Sequence, residues 1–362
     1  MTRPPRVLFL PLEYDVWRRA RHNSYLINFG VEEGLRAAGV ECVTRLSVFL
    51  PNLSAMYRRG EFDQVWVELV HNPLRPQVLE HIAELAPVRV GLIAESLTYH
   101  EHEIAEERWH GGRVAQITNQ LPYLTHILAM DEADVDQLNA TSRVRALWWP
   151  HAVPERLVAA AAPAPIVPRA AFTGALYGVR EAWLAKGLGE GWLTRVEGGD
   201  GLVPRMFDGV QLLTRAARRV GLEHGAAAAG AYMTIMRTLR RRVFSRWLRA
   251  LSRYAALVNL PHYFKTYPGR VWEGIAAGRP VVSWAVPDRP RTRALFDDGR
   301  EIALYDNLDG LRAAAERLAG DRSAAETQAL NARRRMLAHH TAERRAAEVL
   351  RWLETGHEPS YG

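Results

Sequence analysis

Four side chains of complementary chemistry crowd one short stretch: Lys265, Tyr267, Arg270 and Glu273, with Gly269 among them. A lysine and a guanidinium offer positive charge to phosphate, the guanidinium as a bidentate fork. A carboxylate can accept from a pair of sugar hydroxyls, and a tyrosine adds a ring or a hydroxyl. Residues 257–260 read as a buried strand, 261–269 as a polar, glycine-containing loop and Arg270 as the opening of a helix. That helix stops at Ala277-Gly278, and 280–284 form a second buried strand. A loop running into a helix between two strands collects anions, because unpaired N–H groups and the helix dipole point into it. The set suits a nucleoside diphosphate. On spacing alone Glu273 also reads as a first-turn glutamate favouring the dipole, and Arg270 as surface decoration.

A second group sits at strand ends. Glu95 closes a strand at 88–94, His71 follows one at 63–70, and His100 lies just beyond Glu95. A carboxylate ending a buried strand needs solvent or a partner, and open α/β sheets place ligands at the carboxyl ends of their strands. Glu95, His71 and His100 are therefore the candidate acid–base residues for a hydroxyl acceptor. The neighbouring run His100-Glu101-His102-Glu103 lacks a third ligand at a defined spacing, so no metal site is expected.

The elements needed to hold these residues follow one rhythm. A strand at 6–12, a helix at 28–38 and a strand at 40–46 open the chain as a Rossmann half. The loop between the first strand and helix carries Glu13, Tyr14, Asp15, Arg21, His22 and Asn23 in place of Gly-x-Gly-x-x-Gly, which argues against a dinucleotide site. Strands at 63–70, 88–94 and 124–130 follow, then a helix capped by Asp131, then a last strand near 146–149. The alanine- and proline-rich run 159–168 reads as a linker. A second half restarts with a strand at 170–173, followed by Gly174 to Arg180 and a helix. Residues 233–250 form a helix whose apolar positions face a core and whose arginines, Arg237 and Arg240 included, point outward. The end, 325–354, reads as one long helix with Leu330, Met336, Leu337, Ala347, Val349, Leu350 and Leu353 as its buried stripe.

A chain of 362 residues exceeds one ordinary core, so two domains are expected. No window approaches the roughly 18 apolar residues of a membrane span, and the start is too polar for a signal peptide. With Cys42 as the single cysteine, a disulfide within the chain is excluded and a reducing, cytoplasmic setting is expected. The net charge of +7 rests on arginine, lysine occurring only at Lys186 and Lys265. A basic surface favours anionic partners, and a nucleotide-sugar, a lipid head group, a membrane face and nucleic acid all qualify.

The run Arg270-Val271-Trp272-Glu273-Gly274-Ile275-Ala276-Ala277-Gly278-Arg279-Pro280-Val281-Val282 resembles the R-x-(F/W)-E-x-x-A-x-G-x-P-V-V segment of GT-B glycosyltransferases of the group 1 type, most closely their CgeB-like branch. Ala294-Leu295-Phe296 with Gly299-Arg300-Glu301-Ile302 is similar to a further segment of that family, as is His340-Thr341-Ala342-Glu343-Arg344 to its terminal helix.

The resemblance implies an α/β protein of GT-B architecture, two Rossmann-like domains facing a cleft, with a last helix crossing back to the first. The expected boundaries are an acceptor domain at 1–158, a linker at 159–168, a nucleotide-sugar domain at 169–335 and the returning helix at 336–362. It also implies that Gly174 and Arg180 form a phosphate loop, and that Glu273 is the second glutamate of Glu-x7-Glu and binds the donor ribose. Lys265 stands where the first glutamate would fall, which puts the sugar contact in question. Together with Tyr267, Gly269 and Arg270 these residues make the expected donor site. The implied activity is metal-independent transfer, with retention, from a nucleotide-sugar, a UDP-sugar first, with no other cofactor. The acceptor would be a small molecule, a glycan or a lipid at a membrane face. Transfer to hydroxylated DNA bases and an inactive nucleotide-binding scaffold are the alternatives.

Overall fold

The computed structural model describes residues 3–11, 25–71, 74–99, 109–159, 165, 167–196, 209, 212–213, 215–216, 219–221 and 225–361. His100 and the 101–103 cluster, with the expected loop residues Glu13 to Asn23, lie outside them. The chain divides into two compact units, Met1–Trp149 with Gly198–Phe244, and Pro150–Glu197 with Ser245–Gly362.

The first unit is built on six parallel strands: β1 (Arg6–Leu10), β2 (Glu41–Thr44), β3 (Gln64–Glu68), β4 (Val88–Ile93), β5 (His126–Ala129) and β6 (Arg145–Trp148), in the order β2-β1-β3-β4-β5-β6. Their cores are short apolar runs, as strands covered on both faces require. The helices are α1 (Val31–Ala37), α2 (Pro76–Leu85), α3 (Trp109–Gln120) and α4 (Glu132–Thr141), and Asp131 caps α4 by accepting from the Ala133 N–H. The register of β3 against β4 sets two side chains side by side. Glu68 of β3 lies opposite Leu92 of β4, so His71 and Glu95, each three residues further on, leave the sheet at the same level.

The second unit has five parallel strands, β7 (Val167–Phe172), β8 (Leu193–Arg195), β9 (Tyr254–Asn259), β10 (Val281–Trp284) and β11 (Ala303–Tyr305), ordered β11-β10-β9-β7-β8. Phe172, Leu184, Leu193, Val258, Leu260, Val282 and Leu311 form its core. Its helices are α5 (Arg180–Gly189), the end of α6 (Ala226–Leu251), α7 (Gly269–Ala276), α8 (Leu308–Gly320), α9 (Arg322–His339) and α10 (Ala342–Thr355).

Several expectations give way. β7 begins at Val167, inside the run expected as linker. Residues 150–158 group with the second unit: Val153 bridges to Thr341, and the Glu155 N–H donates to Glu343. Gly198–Phe244 groups with the first unit: Arg237 joins Arg36 in pairing with the fully buried Glu32, and Phe244 stacks on Tyr25 at 4.6 Å. Arg237 and Arg240 are consequently not outward-facing; Arg240 is buried and Ile235 is the exposed residue. The expected single terminal helix is two, broken at His340-Thr341, where the Thr341 side chain caps α10 by accepting from the Arg344 N–H. His340 is buried, receives a hydrogen bond from Arg345 and faces the Leu295 carbonyl, so this motif locks the break. In the expected stripe Met336 and Val349 are buried, but Leu330 is 42% exposed. α10 groups with the second unit.

Candidate functional site

In the second unit the loop after β7 and the first turn of α7 come together. Gly174 has φ +135°, and a Cβ there would lie 2.7 Å from Nη2 of Arg270. Only glycine accepts both the backbone angle and so close a guanidinium. Arg270 Nη1 donates to Asn259 Oδ1 at 2.9 Å, and Asn259 Nδ2 donates to Ser283 Oγ at 2.9 Å. The Tyr305 hydroxyl donates to the Asn259 carbonyl at 2.7 Å. The carboxyl ends of β9, β10 and β11 are thereby tied beneath one guanidinium, which also lies over the Phe172 ring.

Arg180, at the start of α5, is fully buried. Its Nε, Nη1 and Nη2 donate to the carbonyls of Pro261, Ala175 and Leu260, and its plane covers Tyr177 at 4.1 Å. Burial, with Arg270 nearby, pulls it down to about 9, still charged at neutral pH. All three of its nitrogens serve backbone carbonyls, so it pins two loops together and contributes its charge as a field. No carboxylate is paired with Arg180 or Arg270 among the described residues.

Glu273 is 4% exposed, one turn into α7. Its Oε2 accepts the indole N–H of Trp247 at 2.9 Å, and its Oε1 lies 3.4 Å from where a Cβ on Gly269 would stand. Burial pushes the carboxyl up to about 7, with the Trp247 hydrogen bond and Arg270 acting the other way.

Lys265 is buried, as is Tyr267, whose hydroxyl finds no partner among the described residues; burial raises that phenol. Tyr177 and Tyr263 stack at 5.1 Å. Both ring nitrogens of buried His262 also lack partners among the described residues. Burial and the fields of Arg180 and Arg270 hold this imidazole neutral.

In the first unit the carboxyl ends of β3 and β4 carry a cluster of titratable side chains. Glu68 is 1% exposed; its carboxylate accepts from the N–H groups of Val70 and His71 and from Nδ1 of His71 at 3.0 Å. Nε2 of the same ring faces Glu95 Oε1 at 3.3 Å, so each ring nitrogen has a carboxylate beside it. Arg113 of α3 pairs with the other oxygen of Glu95; burial lowers this guanidinium to about 10, with Glu68 opposing.

The structure thus brings His71 and Glu95 together in one unit, and Gly174, Arg270, Gly269 and Glu273 in the other. Sequence reading missed Glu68, Arg113, Trp247, Asn259 and His262. Glu68 was within reach, since a carboxylate ending β3 three residues before His71 satisfies the argument applied to Glu95. Trp247 carries no local signal, being 26 residues from its partner.

Two parallel-sheet units of this kind define the GT-B class of fold. Residues 211–351, a stretch that includes Arg270 and Glu273, match the family model described as "Glycosyl transferase-like". Among solved structures, Anabaena Alr3699/HepE in complex with UDP and glucose is similar at 11% identity with a TM-score of 0.56, over 97% of this chain and 100% of that one. A mutant of S. aureus TarM in complex with Fondaparinux, alpha-GlcNAc-glycerol and UDP is similar at 11% identity and a TM-score of 0.55. That match covers 85% of this chain and 58% of the longer TarM chain. An alpha-glucosyltransferase in complex with UDP and a 13-mer DNA containing an HMU base matches at 10% identity and a TM-score of 0.53, over 97% and 100%. No curated protein matches in sequence.

Proposed function

We propose that the protein is a glycosyltransferase that takes its sugar from a UDP-sugar bound at the start of α7 and passes it to a hydroxyl oriented by His71 and Glu95. One observation carries the reading: Arg270 in the first turn of α7 and Arg180 near it have no carboxylate paired with them among the described residues, and a buried carboxylate stands beside them. An anion completes that charge balance, and a nucleoside diphosphate supplies it. The unpartnered His262 ring and Tyr267 hydroxyl fit the same reading, since buried polar groups left unpaired cost about 1–3 kcal/mol each.

In this reading Arg270 and the first N–H groups of α7 face the diphosphate and stabilise the negative charge that grows on it as the glycosidic bond breaks. Arg180 holds the two loops in place beneath it. Glu273 accepts from the ribose hydroxyls, and Lys265 takes the place of the sugar-facing glutamate of the CgeB-like relatives. Charge stabilisation is assigned to these cations, and transfer is read as metal-independent. Glu68 fixes the His71 ring, and the His71–Glu95 pair takes the proton of the acceptor hydroxyl as its oxygen bonds to the anomeric carbon and the bond to the departing UDP breaks. The family resemblance supports retention of configuration, and NMR of the anomeric product checks it. Buried Cys42 fits a reducing, cytoplasmic setting.

The test is release of UDP from UDP-glucose with glycans, glycerol and lipid-linked hydroxyls as acceptors. Turnover with at least one of them is expected. Binding without turnover on any nucleotide-sugar would favour a scaffold instead. A second reading, transfer to a hydroxylated base in DNA, is favoured by the exposed Arg241, Arg242, Arg246 and Arg249 on α6. Salt-sensitive binding to duplex DNA is its signature, and no binding at low salt sinks it.

A further inference from the structure

We infer that Trp247 is the positioning residue for the donor-binding carboxylate: its indole N–H holds Oε2 of Glu273 and so turns Oε1 towards the gap left by the missing side chain of Gly269, where the ribose hydroxyls bind. The inference rests on the donor reading above and adds to it a residue that lies outside every motif in the sequence.

Three observations carry it. The bond from Trp247 Nε1 to Glu273 Oε2 is 2.9 Å, between side chains that are both at least nine-tenths buried. An indole is a donor only, with one hydrogen, so the direction of the bond is fixed and the carboxylate cannot turn over to exchange its oxygens without losing it. The other oxygen, Oε1, lies 3.4 Å from the Cβ position of Gly269, so any side chain there would stand against it.

A carboxylate on a helix has two equivalent oxygens and free rotation about its last torsion. Ribose recognition needs one oxygen turned outward, and with Lys265 standing where the sugar-facing glutamate would, Glu273 is the one carboxylate of the Glu-x7-Glu pattern present. Trp247 comes from α6 and Glu273 from α7, so the bond also fixes the spacing of the two helices in this unit. The groups facing Glu273 are Arg270 on its own helix and Trp247 on the neighbouring one; both favour its ionised form against burial.

The experiment is calorimetry with UDP-glucose from pH 6 to 8.5 on the full-length protein, its Trp247→Phe and Trp247→Gln variants, and Glu273→Gln. UDP-glucose is chosen because its diphosphate does not titrate in this window. With the carboxyl near 7 and the carboxylate as the binding form, wild-type affinity rises about tenfold between pH 6 and pH 8. Trp247→Phe weakens binding at pH 7 by about tenfold and moves the midpoint upward, because the carboxylate loses a donor. Trp247→Gln, which restores an N–H, recovers part of both. Glu273→Gln binds weakly at every pH.

Wild-type affinity and midpoint in Trp247→Phe, with Glu273→Gln still defective, would overturn the inference and leave the donor site standing. Unimpaired binding by Glu273→Gln would overturn both. Should the Trp247 variants lose their circular dichroism, the wild-type protein decides through the indole N–H resonance of Trp247. It is expected to shift with the Glu273 midpoint and on adding UDP-glucose; a resonance indifferent to both overturns the inference.

Discussion

The two sites handle charge in opposite ways. At β3 and β4 the cluster is satisfied internally: two carboxylates, Glu68 and Glu95, face the two ring nitrogens of His71, and Arg113 pairs with Glu95. Around the head of α7 two guanidiniums, Arg270 and Arg180, have no carboxylate paired with them among the described residues, and burial raises the nearby acid, Glu273, to about 7. A satisfied cluster keeps its shape while a proton moves within it. An unbalanced one binds an anion. Under the proposed function, the difference divides proton transfer, given to the first unit, from leaving-group charge, given to the second.

Four substitutions break or sharpen that contrast. Arg270→Ala removes the less buried half of the cationic pair, and kcat/KM with UDP-glucose should fall by about 10²–10³, with UDP affinity falling alongside it. His71→Asn attacks the satisfied cluster: turnover should drop by about 10²-fold while the calorimetric affinity for UDP-glucose stays within about twofold. Equal losses of binding in both variants would erase the division of labour.

Gly174→Ala tests geometry rather than charge. A left-handed φ and a methyl group 2.7 Å from Arg270 Nη2 should cost about 1–3 kcal/mol in urea denaturation and displace the guanidinium, weakening UDP roughly tenfold. The smallest effect is on stability against pH. Glu273 has a folded pKa raised from 4.5 to about 7, so its contribution is full below pH 4.5 and is lost as pH rises through 7. Comparing unfolding at pH 5.5 and pH 8 in the absence of ligand, wild type should lose about 1–3 kcal/mol more than Glu273→Gln. Donor binding follows the opposite slope, which separates the site's function from its cost to the fold.

Much of this arrangement was legible in the chain. Alternating apolar strands and helices gave both parallel sheets, and the loop-to-helix junction at Gly269-Arg270 marked the candidate anion site, because dipole and free N–H groups follow from local structure alone. His71 and Glu95 were legible as strand ends; that they touch depends on the register of β3 against β4, which no single segment encodes. The bond between Trp247 and Glu273 and the pairing of Arg237 with Glu32 were illegible for the same reason. The arginine-rich face of α6 read as uniformly solvated, yet Arg237 turns inward and joins Arg36 on the buried Glu32. The break at His340-Thr341 was missed although Thr341 is a good cap, because the helical pattern runs on through it.

On this reading the head of α7 is an anion site completed by a nucleotide-sugar. Isothermal calorimetry of UDP-glucose against wild type and Arg270→Ala tests it directly. Saturable one-to-one binding by the wild type, abolished or weakened at least about a hundredfold in the variant, is the predicted result. Equal affinities in the two proteins, or no heat from the wild type at millimolar donor, would contradict it.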